Sequence, residues 1–540
     1  MASLSQPSSL RGLLASAAFL ALYASCSNAS AADPVPGEEK AIPHHLQYGD
    51  EYRLPLAELL RHGERLFLAR WTRHDGAGRP MAKGTGAPLV DQSRPLSFPR
   101  AMNRVSGPDA NGCTGCHNVP TPGGGGDFVA NVFVLGQRFD FVSFETGSDL
   151  PTGGALDERC QPVGLASIAN PRATVGMFGA GYVEMLARQI TRRLRVQRDA
   201  LAPEQSVRLE AYGIGFGTLA RRADGSWDMT AVEGLPPPSL KSADAAHPPS
   251  LTILPFHQVG AVVSMRQFTN TALNHHHGLQ STERFGKDSD PDGDGVRNEV
   301  TGADVAALTL FQAVLPAPGR VIPRDPVIER AVALGEDTFV AIGCSRCHVP
   351  ALPLVEGGWR FIEPNPDNPP GNLRPASGQP SLAVDLNDPQ LPGPRLREEH
   401  GVTWVPLFTD FKLHDITTGP RDPNREPLDQ HAEPGTPEFS AGNGRFLTRR
   451  LWGAASEPPY FHHGQFTTLR EAIEAHAGEA AESMRAYRAL TDFERAAVIE
   501  FLKTLGAMPP GSKDLTVDER GRKRLWREFP KAIGAAGVAG

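Results

Sequence analysis

Two pentapeptides, Cys113-Thr114-Gly115-Cys116-His117 and Cys344-Ser345-Arg346-Cys347-His348, hold four of the six cysteines in this 540-residue chain. Each reads Cys-x-x-Cys-His, the attachment signature of a c-type haem. Two thiols three positions apart can add to the two vinyl groups of one haem, and the His that follows can ligate the iron from the proximal side. A four-cysteine zinc ribbon pairs its knuckles ~15–20 residues apart, whereas these motifs lie more than two hundred apart. A thioredoxin-like dithiol has no need of His after the second Cys. The types and spacing therefore point to two covalently bound haem c groups, held by Cys113, Cys116, His117, Cys344, Cys347 and His348.

Two further groups could hold a metal. Thr468-Leu469-Arg470-Glu471 fits a capping box that opens a helix, and Leu469, Ile473 and His476 then fall on one face. A solitary His on an apolar face is usually core, so His476 is either core or a ligand, with Met484 the nearest thioether. The stretch Asp288 to Glu299 spaces carboxylates as a calcium loop does. Counted from Asp288, ligands stand at positions 1, 3, 5 and 12 with Gly293 at 6; counted from Asp290, the set is Asp290, Asp292 and Asp294 with Gly295 at 6. With Glu299 these are the candidate calcium ligands; the plainer reading is a solvated acidic turn.

The rest of the chain must position these groups. At 540 residues it exceeds one compact core. Charged residues are 21% with net charge −7 and mixed signs, which gives no footprint for nucleic acid. Arg11, the apolar run Leu13 to Tyr23 and the small Ala29-Ser30-Ala31 read as a secretory signal over 1–31, so a periplasmic protein is expected, with no transmembrane segment in the mature chain. A lipid anchor through Cys26 is the lesser alternative. Cys160 reads as a buried small residue. Helical periodicity covers Leu56 to Phe67, Tyr182 to Leu194 and Val327 to Phe339, and Thr491-Asp492-Phe493-Glu494 caps a last helix. Phe128 to Val134 reads as a strand, 195–260 as mixed and loop-rich, 350–400 as an ordered Pro/Gly excursion, and the stretch past Pro509 as a polar tail with a helical patch.

Several stretches together resemble the bacterial di-haem oxidoreductases, thiol-oxidoreductase-like relatives of di-haem cytochrome c peroxidase. They are Gly107 to Ala110 through Asn118-Val119-Pro120, Gly179 to Glu184, Asn274 to Gly278, Asp290 to Glu299, Phe408-Thr409-Asp410 with His414-Asp415, and Leu451-Trp452-Gly453 through His462 to Glu479. The resemblance implies a mainly α fold of two cytochrome c-like modules facing each other, with long loop insertions and minor β. The modules would span 32–300 and 301–510, followed by a 511–540 tail. It implies His476 as sixth ligand of the second haem. The matching slot in the first module holds Arg193, which has no lone pair for iron, so that haem is open or takes a His from 275–277, with His276 as candidate. Glu184, Gln189 and Asp199 are the distal catalytic candidates by the same register, and His276 is the fourth catalytic candidate. The peroxidases carry a Trp between their haems where Gly179 stands here; Phe178 and Trp452 are the nearby aromatics. A calcium between the modules is also implied. The expected function is a periplasmic di-haem oxidoreductase that reduces hydrogen peroxide, with electrons from a small redox protein entering at the His348 haem. The alternatives are a non-catalytic electron-transfer cytochrome and an oxygen-activating di-haem enzyme.

Overall fold

A computed structural model describes residues 35–77, 111–131, 170–290, 294–427, 429, 431–432, 436–509 and 511–529. The expected signal segment, Cys26, Cys160 and Asp292 lie outside the described residues. Residues Lys40–Gly540 form one compact unit. No helix among the described residues is long and apolar enough to cross a membrane.

The expectation of a mainly α fold is corrected. Among the described residues 31% are helical and 17% are in strands, and the strands form several two- and three-stranded sheets. The stretch 195–260, read as loop-rich, folds as an antiparallel meander of Ser206–Ala211, Ile214–Arg221 and Trp227–Val232. Its first hairpin turns on Tyr212 and Gly213, both at positive φ (54° and 81°), as a two-residue turn that matches strand twist requires. Val207, Leu209 and Ala211 alternate along one face, and Leu209 and Ala211 are buried. The Pro/Gly excursion contributes further ladders: Leu352–Val355 pairs with Val402–Val405, and Arg360–Glu363 with Leu382–Asp385. Each of these strands is four residues long, too short for alternation to stand out among the Pro- and Gly-rich connections.

Eight helices carry the argument: α1 Leu56–Leu68, α2 Ala180–Asp199, α3 Met265–His277, α4 Gly302–Ala313, α5 Pro326–Ala341, α6 Leu469–Glu474, α7 Ala481–Ala489 and α8 Asp492–Lys503. Their ends have local causes. Asp325 accepts from the Val327 and Ile328 amides and Pro326 occupies the first turn of α5, where a missing N–H costs nothing. The boxes at Thr468 and Thr491 are both formed.

One packing device recurs ahead of each Cys-x-x-Cys-His motif. Gly63 on α1 lies so close to α4 that an added Cβ would collide with the Ala307 carbonyl, and Gly335 on α5 stands in the same relation to Ala497 of α8. Only glycine permits that approach. Each pair borders its own apolar cluster. Leu66, Phe67, Trp71, Leu273, Val305 and Leu308 pack beside Cys113; Phe339, Phe408, Met484, Tyr487, Phe501 and Leu502 pack beside Cys344. Asp304 locks the first pair. It caps α4 with Thr301 and accepts from His45 and His62 at 2.7 Å each.

The tail is also corrected. No helical patch forms among its described residues. Thr516–Val517 adds in parallel to Gly319–Val321, buried Asp518 pairs with Arg324 and Arg522, and Phe529 meets Phe408 edge-on at 4.8 Å.

Candidate haem sites

Each motif forms a 3-10 turn, Cys113–Gly115 and Cys344–Arg346. Burial drives the Cys113 thiol up to about 12 and Cys344 up to about 11. An activated redox dithiol has its pKa lowered, not raised, so these are thiols held for another purpose. None of the four is in a disulfide among the described residues.

The second motif opens on a cavity of about 300 Å³, lined by Phe339, Phe411, Phe446, Leu451, Ile473 and Met484 among others. His348 follows α5 through the turn and donates from Nδ1 to the Phe408 carbonyl at 3.2 Å. His476, just past α6, donates from Nδ1 to the Ala472 carbonyl at 2.8 Å. Those bonds fix the tautomer that leaves Nε2 as the lone-pair nitrogen, as second-shell partners of metal-bound imidazoles do. The two rings stand 6.5 Å apart between centroids. Two metal–nitrogen bonds of about 2 Å, plus about 1 Å from each nitrogen to its ring centre, require about 6 Å. Burial, then His476, lowers His348 to about 4, and burial lowers His476 as well; both are neutral, as ligands must be. The residues present therefore fit a haem, which His348 and His476 would hold.

His117 repeats the proximal arrangement, with Nδ1 donating to the Gly124 carbonyl at 3.2 Å. Burial lowers it to about 4, with smaller contributions from His276 and Arg450. The end of α3 thus reaches this motif: His276 is within electrostatic range of His117, and His277 Nε2 lies 3.9 Å from Cys113 Sγ. Trp71 packs in the cluster that borders Cys113, and its buried indole N–H has no partner among the described residues. A donor so placed suits a bound group with carboxylates.

The three other distal candidates are committed elsewhere. Gln189 spans the strand Leu352–Val355, donating to the Pro353 carbonyl at 2.7 Å and accepting from the Val355 amide at 2.9 Å. Asp199 is exposed at the end of α2 and pairs with Arg198 at 2.7 Å. Glu184 is fully buried and accepts from the Met265 amide at the start of α3 and from Asn365. Burial, then Glu363, pushes its carboxyl up to about 7. Arg193 is exposed, its guanidinium over the Tyr212 ring at 5.4 Å.

Gly179 opens α2 at φ 71°, and an added Cβ there would strike the indole of Trp452. Trp452 is buried, and the residues before it line the cavity of the second motif (Arg449, Arg450 and Leu451). Arg450 is also the cation felt at His117. In the acidic loop, Asp290 accepts from the Asp294 and Gly295 amides, while Glu299 accepts from the Gln280 amide at 2.7 Å. Among the described residues the acids of this loop do not converge on one point; the group that does is Cys347, Asp410 and His414. Sequence reasoning missed His414 as a site residue, although it lies in a quoted stretch.

Residues 393–505 match the family model described as "Di-haem oxidoreductase, putative peroxidase". The match begins after the Cys344 motif and covers His414, His476 and α8. It supports a di-haem redox enzyme. No curated protein matches the chain. Two solved structures show a remote likeness. Hydrazine synthase of Kuenenia stuttgartiensis is 14% identical, with 93% of this chain and 100% of that chain covered and a TM-score of 0.32. A MauG-like protein associated with microbial copper homeostasis is 18% identical, with 63% and 90% covered and a TM-score of 0.24. Neither likeness bears on the assignment at those scores.

Proposed function

We propose that this chain is an exported di-haem c-type oxidoreductase that reduces hydrogen peroxide with electrons from a small redox protein. The observation that carries the reading is the contrast between the motifs. His348 is faced by His476 at ligand spacing, whereas the side chains reaching His117 come from the far end of another helix. Haem held at each motif would supply one-electron transfer at the His348 site and reduction of peroxide at the His117 site. The chain's own residues serve these tasks in different ways. His348 and His476 would hold the second haem between them and so keep substrate from it. At the first, half-buried Arg450 donates to the Gly176 carbonyl, and its charge would stabilise negative charge that develops on oxygen. His276 is the group placed to hold or pass a proton there. Arg449 to Leu451 line the cavity of the second motif, and Arg450 is within electrostatic range of His117.

The test is anaerobic addition of hydrogen peroxide to fully reduced holoprotein, followed by haem absorbance. Stoichiometric reoxidation is expected, and His276→Ala should slow it ~10²–10⁴-fold. Protein that stays reduced in excess peroxide would contradict the proposal. The proximity of His277 to Cys113 favours one second reading, an electron carrier in which α3 caps the first iron in every redox state.

A further inference from the structure

His414 lies on the strand Leu413–Asp415, is buried, and has both ring nitrogens engaged by carboxylates. Nε2 donates to Asp410 at 2.9 Å and Nδ1 to Glu479 at 2.6 Å. A ring that donates from both nitrogens is an imidazolium, and such charge-assisted bonds are the strong ones. Consistent with this, His414 is held above the ordinary imidazole range: burial opposes the rise, and the hydrogen bond to Asp410 leads the causes that outweigh it.

One carboxylate belongs to the segment that hydrogen-bonds His348, the other to the segment that carries His476. Asp410 comes two residues after Phe408, whose carbonyl accepts from His348. Glu479 comes three residues after His476. Further bonds stitch that second segment to the strand of His414: the Asp415 amide donates to Glu479 at 2.9 Å, and the Ala477 amide to the Ile416 carbonyl at 2.9 Å. Gly478 lies so close to the Asp415 carbonyl that a side chain there would collide with it. The His414 ring also lies within 4.8 Å of the Cys347 sulfur. One side chain therefore ties the segment that hydrogen-bonds His348 to the segment that carries His476.

We propose that His414 is a positioning residue, a brace between Asp410 and Glu479 that sets the separation of His348 and His476 and so keeps the second iron six-coordinate. This inference rests on the reading of His476 as an axial ligand. Losing either arm frees one imidazole segment relative to the other. Charged hydrogen bonds of this kind, once lost, shift a ligated-to-open equilibrium by on the order of tenfold or more.

The experiment uses full-length holoprotein with His414→Leu and, as a milder cut at a half-exposed partner, Glu479→Ala. The readouts are the low-spin fraction of the second haem by electron paramagnetic resonance and the number of carbon monoxide molecules bound per reduced chain. Both variants should gain a high-spin signal and a second carbon monoxide site, and added imidazole should restore the low-spin spectrum. A merely structural role would lower the melting temperature without changing spin state. If Glu479→Ala and a folded His414→Leu both stay fully low-spin, the brace is overturned. His476→Gly run alongside separates the two failures. If it stays closed, the axial assignment is wrong; if it opens while the brace variants do not, only the brace is wrong.

Discussion

Glu184→Gln distinguishes a structural carboxyl from a catalytic one. In the parent, the buried carboxyl is raised from 4.5 to about 7, so the folded chain binds a proton that the unfolded chain has released between those values. Stability from this group is therefore full below pH 4.5, falls as pH rises, and levels off above about 7. The size of the rise corresponds to about 3 kcal/mol across that window. An amide of the same shape keeps the buried site neutral at every pH, at a constant cost of about 1 kcal/mol for one acceptor exchanged for a donor opposite Met265 or Asn365. The variant should thus be slightly weaker than the parent at pH 4.5 and stronger by about 2 kcal/mol at pH 8. Urea unfolding of both holoproteins from pH 4.5 to 8 measures this. A stability difference that does not change with pH would refute the burial argument. A loss of peroxide reactivity with unchanged stability would return Glu184 to the catalytic candidates.

Other expectations follow from single contacts. Cys344→Ala with Cys347→Ala should leave one haem of two on a denaturing gel stained for haem, whereas loss of both, or of neither, from a folded chain would contradict covalent attachment at each motif. Gly335→Ala forces a Cβ against the Ala497 carbonyl and should cost about 1–3 kcal/mol by urea midpoint; an unchanged midpoint would mean that α5 and α8 pack less tightly than described. Asp304→Asn removes a buried charge held by two histidines and should cost about 3–5 kcal/mol. Its pH profile has a definite sign. The Asp304 carboxyl, opposed by burial but held by His45 and His62, lies well below the usual carboxylate range. The parent therefore loses this contribution as pH falls below about 4, and the variant lacks that acid limb.

Much of the site was legible because its signals are local. The haem motifs, the capping boxes at Thr468 and Thr491, and the face that presents His476 each depend on residues within two turns of one another. The meander was not read, although Tyr212-Gly213 between alternating Val207, Leu209, Ala211 and Ile214, Phe216 was a usable hairpin signal. The distal register failed for a different reason. Gln189 and Asp199 were placed by counting along α2, but Gln189 is held by a strand more than one hundred and fifty residues away, a partner that no helical period reveals. The role of His414 was hidden in the same way, since its second acid is sixty-five residues distant. The tail looked polar because Asp518 and its arginines are charged; that charge is what anchors it.

Carbon monoxide stoichiometry tests the central claim most directly. Fully reduced holoprotein should bind one carbon monoxide per chain, at the His117 haem, while the His348 haem keeps both imidazoles and its spectrum. His476→Gly should bind two. Two molecules bound by the parent would show that His476 does not close the second iron, and none bound in any reduced sample would show that no iron is open for chemistry.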